Sequence, residues 1–191
     1  MTNEEKIELF SKEIGFIQDP TIQQFVEKAL TVVPDYFFSI PASSTGKFHP
    51  SYALGEGGLV RHTKAAVRIA NELLRLEMYG CYTQEEKDLM IAALILHDTY
   101  KLGLNHSKYT VTEHPIIAAD FCAEDQQLNN IIPKEQRIFI ANCVKTHMGQ
   151  WTQDYRSHKE VLEKPKTKYQ KFVHQCDYLA SRKCLEFNFD V

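Results

Sequence analysis

Apolar and polar positions along the chain repeat at helical spacing from end to end, and no alternating strand run bounded by hairpin turns interrupts them. Thr2 with Glu5 makes a capping box that predicts a first helix to about Ile14, and Asp19 then Pro20 open a second reaching about Val33. A third is expected from about Gly58 to Tyr79, stopped by Gly80. Its Arg61, Lys64, Arg68, Glu72 and Arg75 share one face, while Leu59, Ala66, Ala70 and Leu73 share the other, with His62 on the apolar side. Thr83 with Glu86 caps a fourth helix in which Leu89 to Leu96 is apolar all round, as a buried central element would be. It ends in His97 and Asp98. Pro115 opens a further helix, Pro133 opens one stopped by Gly149, and the last runs from about Thr167 to Glu186. The fold class read from this pattern is all-α, with long irregular stretches at 34–57 and 149–166.

Composition narrows the picture. A chain of 191 residues, 43% hydrophobic and 25% charged, has the make-up of one compact domain, here residues 1–191 with 1–36 as a helical extension of the rest. At this length folding buries roughly 70% of the unfolded surface, so a metal is not needed merely to hold the fold, and any metal site is expected to be functional. The net charge of −3 announces no duplex-binding field. The longest apolar run has eight residues, short of the ~20 that a membrane span requires, and Met1 to Glu5 is polar and acidic. Neither a membrane partner nor a signal peptide is expected. Five cysteines at wide spacings, without Cys-x-x-Cys, argue against a thiolate zinc site and a disulfide framework, which points to the cytoplasm.

The informative anomaly is ionisable residues on apolar helix faces, since an isolated charge costs several kcal/mol to bury unless it is paired or bound to metal. His62 follows Leu59 by three. His97 and Asp98 close the most apolar helix, and Asp177 falls in the stripe Phe172, Val173, Cys176, Ala180. Taken singly, His62 reads as a core histidine and Asp177 as a capping or paired acid. Together, two imidazoles and two carboxylates form a nitrogen and oxygen set suited to Mn, Fe, Co, Ni or Zn, with positions open to water.

Gly57-Gly58-Leu59-Val60-Arg61-His62-Thr63, then Ala93-Leu94-Ile95-Leu96-His97-Asp98, then Asp177-Tyr178-Leu179-Ala180 resemble the HD-domain metal-dependent phosphohydrolases, over roughly residues 37–186. The resemblance implies that His62, His97, Asp98 and Asp177 are metal ligands. His114 before Pro115 and His147 at the end of an apolar face read alone as a cap and a core histidine. In binuclear members, histidines at these places bind a second metal and the aspartate of the pair bridges both ions, so two divalent ions are expected, with Mg also admissible. The arrangement is similar to the HD module of bacterial 3′-to-5′ exoribonucleases and, more distantly, to the HD-GYP cyclic dinucleotide phosphodiesterases. The segment Phe37-Phe38-Ser39-Ile40-Pro41-Ala42-Ser43 to His49 resembles the nuclease group, which implies that His49 lies near the phosphate.

Departures bear on the substrate. Where many binuclear members have His-Asp-x-Gly-Lys, this chain has His97-Asp98-Thr99-Tyr100-Lys101, so Tyr100 is expected to reshape the pocket. His147-Met148 replaces the paired histidines of the HD-GYP enzymes, whose Gly-Tyr-Pro motif is missing, and the 36 residues before the resemblance are too few for an OB fold. The site chemistry implies hydrolysis by metal-bound hydroxide with Asp98 catalytic, and Lys101 reads either as a catalytic charge or as a solvated helix-end lysine. Between Arg156 and Lys171 six Lys or Arg face two Glu, against six acids and three lysines in Met1 to Leu30. With Trp151 and Tyr155 this loop reads as a stacking and steering wall for a single strand, to which Trp151 and Arg156 would contribute, or as a solvated face with core aromatics. The expected activity is a phosphodiesterase, a 3′-to-5′ exonuclease on single-stranded nucleic acid. A nucleotidase or cyclic-nucleotide phosphodiesterase, and a metal-holding module without turnover, are the alternatives; oligomeric state stays open.

Overall fold

The computed structural model describes residues 1–43, 46 and 49–185. Among them the chain forms eight α-helices: α1 Asn3–Glu8, α2 Ser11–Ile14, α3 Pro20–Val32, α4 Gly58–Leu73, α5 Gln84–Leu96, α6 His114–Glu124, α7 Lys134–Lys145 and α8 Lys168–Ala180. The all-α expectation holds, and the one extended pairing described is an isolated antiparallel bridge between Gln153 and Glu160. None of these helices is long and apolar enough to cross a membrane.

Capping boxes start α1 at Thr2, α5 at Thr83 and α8 at Thr167, each satisfying backbone donors that the first turn leaves unpaired. The unbroken apolar run makes α5 the centre, buried from Asp88 to Leu96, with α3, α4, α7 and α8 packed around it. Buried Asp88 accepts the N–H groups of Gln18 (3.0 Å) and Asp19 (2.9 Å), which ties the start of α3 to α5.

Besides α7, which stops at Lys145, four residues before Gly149, three helices differ in extent from the sequence reading, each for a tertiary reason. The first is broken at Leu9 and Phe10, because Phe10 turns wholly inward to stack on Phe37 with ring centroids 6.0 Å apart. The third stops at Leu73: the Lys87 ammonium donates to the Leu74 carbonyl, and a 3-10 turn at Glu77–Tyr79 brings Tyr79 against Phe172. The last stops at Ala180, whose carbonyl accepts from the Tyr52 hydroxyl at 2.7 Å, and Glu186 lies outside the described residues.

The stretch between α3 and α4 is irregular but anchored, with 3-10 turns at Asp35–Phe38 and Ser51–Ala53. Arg61 donates to the carbonyls of Tyr52, Leu54 and Glu56, holding this stretch down on α4. Gly58 permits the contact, since a Cβ there would stand 2.7 Å from the backbone carbon of Ala53. Residues 44, 45, 47 and 48, part of the segment singled out before His49, lie outside the described residues. Tyr100 sends its ring into the core against Phe121, centroids 5.2 Å apart.

Candidate metal centre

Five helices deliver the candidate ligands to one buried point. His62 comes from the second turn of α4, His97 caps the C-terminus of α5 with Asp98 next, His114 opens α6, His147 follows the end of α7, and Asp177 lies in the last turn of α8. The C-terminal ends of three of these helices meet here, so their negative dipole ends favour a cation. All six residues are buried except Asp177, whose side chain is 16% exposed.

The Asp98 carboxylate stands in the middle. Its Oδ2 is 3.6 Å from His97 Nε2 and 3.9 Å from His62 Nε2, and its Oδ1 is 3.1 Å from His114 Nε2 and 3.5 Å from His147 Nε2. Asp177 Oδ1 closes the first side, 2.9 Å from His62 Nε2 and 3.5 Å from His97 Nε2. Three overlapping sets of ligand atoms result: His62, His97 and Asp98; His97, His147 and Asp177; and Asp98, His114 and His147.

The histidines are oriented for ligation. His97 Nδ1 donates to Leu94 O at 2.6 Å, His114 Nδ1 to Val111 O at 2.7 Å and His147 Nδ1 to Val144 O at 2.8 Å. A carbonyl only accepts, so each Nδ1 carries a proton and each ring turns its Nε2 toward Asp98. His114 and His147 bring their Nε2 atoms within 3.2 Å of each other, a close approach that a shared cation would satisfy. Buried His97 Nε2 and Asp98 Oδ1 have no aligned hydrogen bond, nor has His62 Nδ1. The donor set and these unsatisfied atoms fit a divalent transition metal.

Electrostatics agree. Burial alone would raise the Asp98 carboxyl, but Lys101 and His97 outweigh it and hold it well below the usual carboxylate range. Asp177 is lowered likewise, burial being overcome by hydrogen bonds to His62 and His97. Burial penalises the charged form of His97, yet the two aspartates push it upward on balance, whereas for His147 burial prevails and lowers it.

Lys101 donates to Asp98 Oδ2 and keeps its chain partly exposed, so it faces the cluster. His49, half-buried, stands edge-on to His62 with centroids 4.9 Å apart, and burial foremost pushes its imidazole down to about 3. Trp151 does not touch the cluster but stacks on Tyr178, the neighbour of Asp177. Arg156 is exposed, with its backbone N–H on Asp154 and no described contact to the cluster. Sequence reasoning missed His174 and Arg61. His174 Nδ1 donates to the His147 carbonyl at 2.7 Å and so fixes the segment carrying that ligand, while Arg61 anchors the stretch that leads from His49 to α4. Their partners are backbone carbonyls, in one case 27 residues away and in the other in an irregular stretch, which no helical spacing could reveal.

The HD domain family matches the chain over residues 59–182. The chain belongs to the HD domain family. Its members are generally metal-dependent hydrolases, and the matched span holds all six candidate ligands and Lys101. Among curated proteins the chain is similar to the 3′-5′ exoribonuclease YhaM of Geobacillus sp. (strain WCH70), 26% identical over 158 residues. That match covers 78% of this chain and 45% of the relative, so the chain spans less than half of the relative's length. No solved structure matches.

Proposed function

We propose that this HD domain is a metal-dependent phosphodiesterase that shortens single-stranded nucleic acid from the 3′ end. The observation that carries the reading is the placement of Asp98, with one oxygen toward His62 and His97 and the other toward His114 and His147. A carboxylate so flanked can serve two ions at once. In this reading His62, His97, Asp98 and Asp177 would hold one divalent ion and Asp98, His114 and His147 a second. Bound there, such ions supply Lewis acidity and an acidified water for in-line displacement at phosphorus.

The chain's own groups provide the rest. Lys101 brings a fixed positive charge beside Asp98 to offset the negative charge that grows on the phosphoryl oxygens. His49, its imidazole kept neutral by burial, can donate one hydrogen bond to a phosphate oxygen without adding charge. In this reading substrate enters from the side of Asp177, whose side chain is partly exposed while those of the other five are buried. The exoribonuclease named above supports nucleic acid as the substrate. The cytoplasm is the proposed compartment, supported by five free cysteines.

With Mn²⁺ supplied, the protein should cleave bis-p-nitrophenyl phosphate and shorten single-stranded RNA or DNA from the 3′ end faster than it dephosphorylates nucleoside monophosphates. Added salt should weaken oligonucleotide cleavage more than cleavage of the small diester, because counterions compete where several phosphates are held. Preference for monophosphates would make the protein a nucleotidase, and inactivity with metal bound would make it a binding module.

A further inference from the structure

Beside the metal cluster, α8 presents a second surface that the hydrolytic chemistry does not use. His174, Tyr178 and Arg182 follow one another at four-residue spacing, so they form a stripe along one side of the helix and its end, next to the inward-facing Asp177. Trp151 lies across this stripe. Its ring is stacked on Tyr178, 5.8 Å between centroids at 16°, and meets His174 edge-on at 6.2 Å. The Arg182 guanidinium lies 4.3 Å above the Tyr178 ring.

This stack is built rather than incidental. Gly149 adopts φ +65°, a left-handed conformation that turns the chain back after His147. A Cβ at Gly149 would run into the His174 imidazole, so the glycine lets the backbone lie directly on that ring. Thr152, buried, accepts from the N–H groups of Val161 and Leu162 at 2.8 and 3.0 Å and anchors the residue after the tryptophan. Yet Trp151 itself stays 46% exposed. An indole stacked in place and left open to solvent, with a guanidinium on the tyrosine it stacks upon, matches what a nucleotide needs: a flat apolar face for the base and a charge for a phosphate. The distance is also right. Tyr178 is the immediate neighbour of Asp177, and Trp151 is four positions from His147, at most about 14 Å of extended chain.

We propose that Trp151, Tyr178 and Arg182 form a stacking subsite for a nucleobase of the phosphoester substrate. The subsite rests on the phosphoesterase reading for the position of the scissile phosphate, and it commits the substrate to one bearing an aromatic base rather than a sugar or lipid phosphate.

Trp151 is the one tryptophan of the chain, so its emission reports on this subsite alone. With a chelator present to prevent turnover, oligothymidylate should quench that emission saturably, whereas an abasic strand of equal length and charge should need about tenfold higher concentration or more. Equal quenching by the abasic strand, or emission unmoved by either, would overturn the subsite. In the metal-loaded protein, Trp151→Ala should raise KM for an oligonucleotide about tenfold, with metal content and kcat kept, and Trp151→Phe should restore most of the loss. Equal losses in the two variants would also overturn it. If no phosphoester were turned over while base-dependent quenching persisted, the hydrolase reading would fall and the subsite would stand.

Discussion

His97, His114 and His147 each fix their ring by donating Nδ1–H to the carbonyl three residues earlier, so the orientation of a ligand is decided within one turn of chain. What the ring points at is decided by the fold, and there Asp98 is the shared partner. Asp98→Ala should therefore weaken metal binding about 100-fold or more and Asp177→Ala should weaken the first ion, as elemental analysis of the purified variants would read. Full occupancy in Asp98→Ala would refute the proposed sharing of Asp98 between two ions. Lys101→Ala should instead leave metal in place and lower kcat by about 10²- to 10³-fold, because a charge that steadies the transition state is not a ligand. Metal lost from that variant would make the lysine structural. At this scale the sequence was legible wherever an ionisable group interrupted an apolar face, which is how His62, His97, Asp98 and Asp177 stand out. His174 was illegible because its partner is a backbone oxygen 27 residues away.

Helix starts were readable and helix ends less so. Thr2, Asp19, Thr83 and Thr167 announce starts through local hydrogen bonds that involve only neighbours. The ends of α1, α4 and α8 depend on Phe37, Lys87 and Tyr52, each brought in by packing. Gly58 shows how tightly one such junction is drawn. Gly58→Ala would press a methyl group into the backbone of Ala53 and near Pro41 Cα, 3.1 Å away, and should cost about 1–3 kcal/mol. Calorimetry should find the melting temperature lowered by roughly 2–4 °C for each kcal/mol. An unchanged melting temperature would mean that the 50–57 stretch is free to lift away from α4.

At the scale of the molecule, buried charge makes stability depend on pH. Asp98 and Asp177 are held well below the ordinary aspartate value near 3.9, so their contribution is complete above about pH 4 and is lost as pH falls through their lowered values. His97 is raised, so its contribution is complete below about 6.5 and is lost as pH rises through its folded value. Urea titrations of chelated protein across a pH series should accordingly show a steep acid limb and a shallower loss on the alkaline side; greater stability at pH 3 than at pH 6 would contradict this account. The convergence of helix ends on one point has a further consequence. Ends are where helices ordinarily fray, and here the last turns of α5, α7 and α8 share a junction that bound metal would lock like a keystone. Loading that junction should slow amide exchange at all three ends together, by a common factor that follows metal concentration, while α1, which contributes none of the candidate ligands, continues to exchange at its own pace.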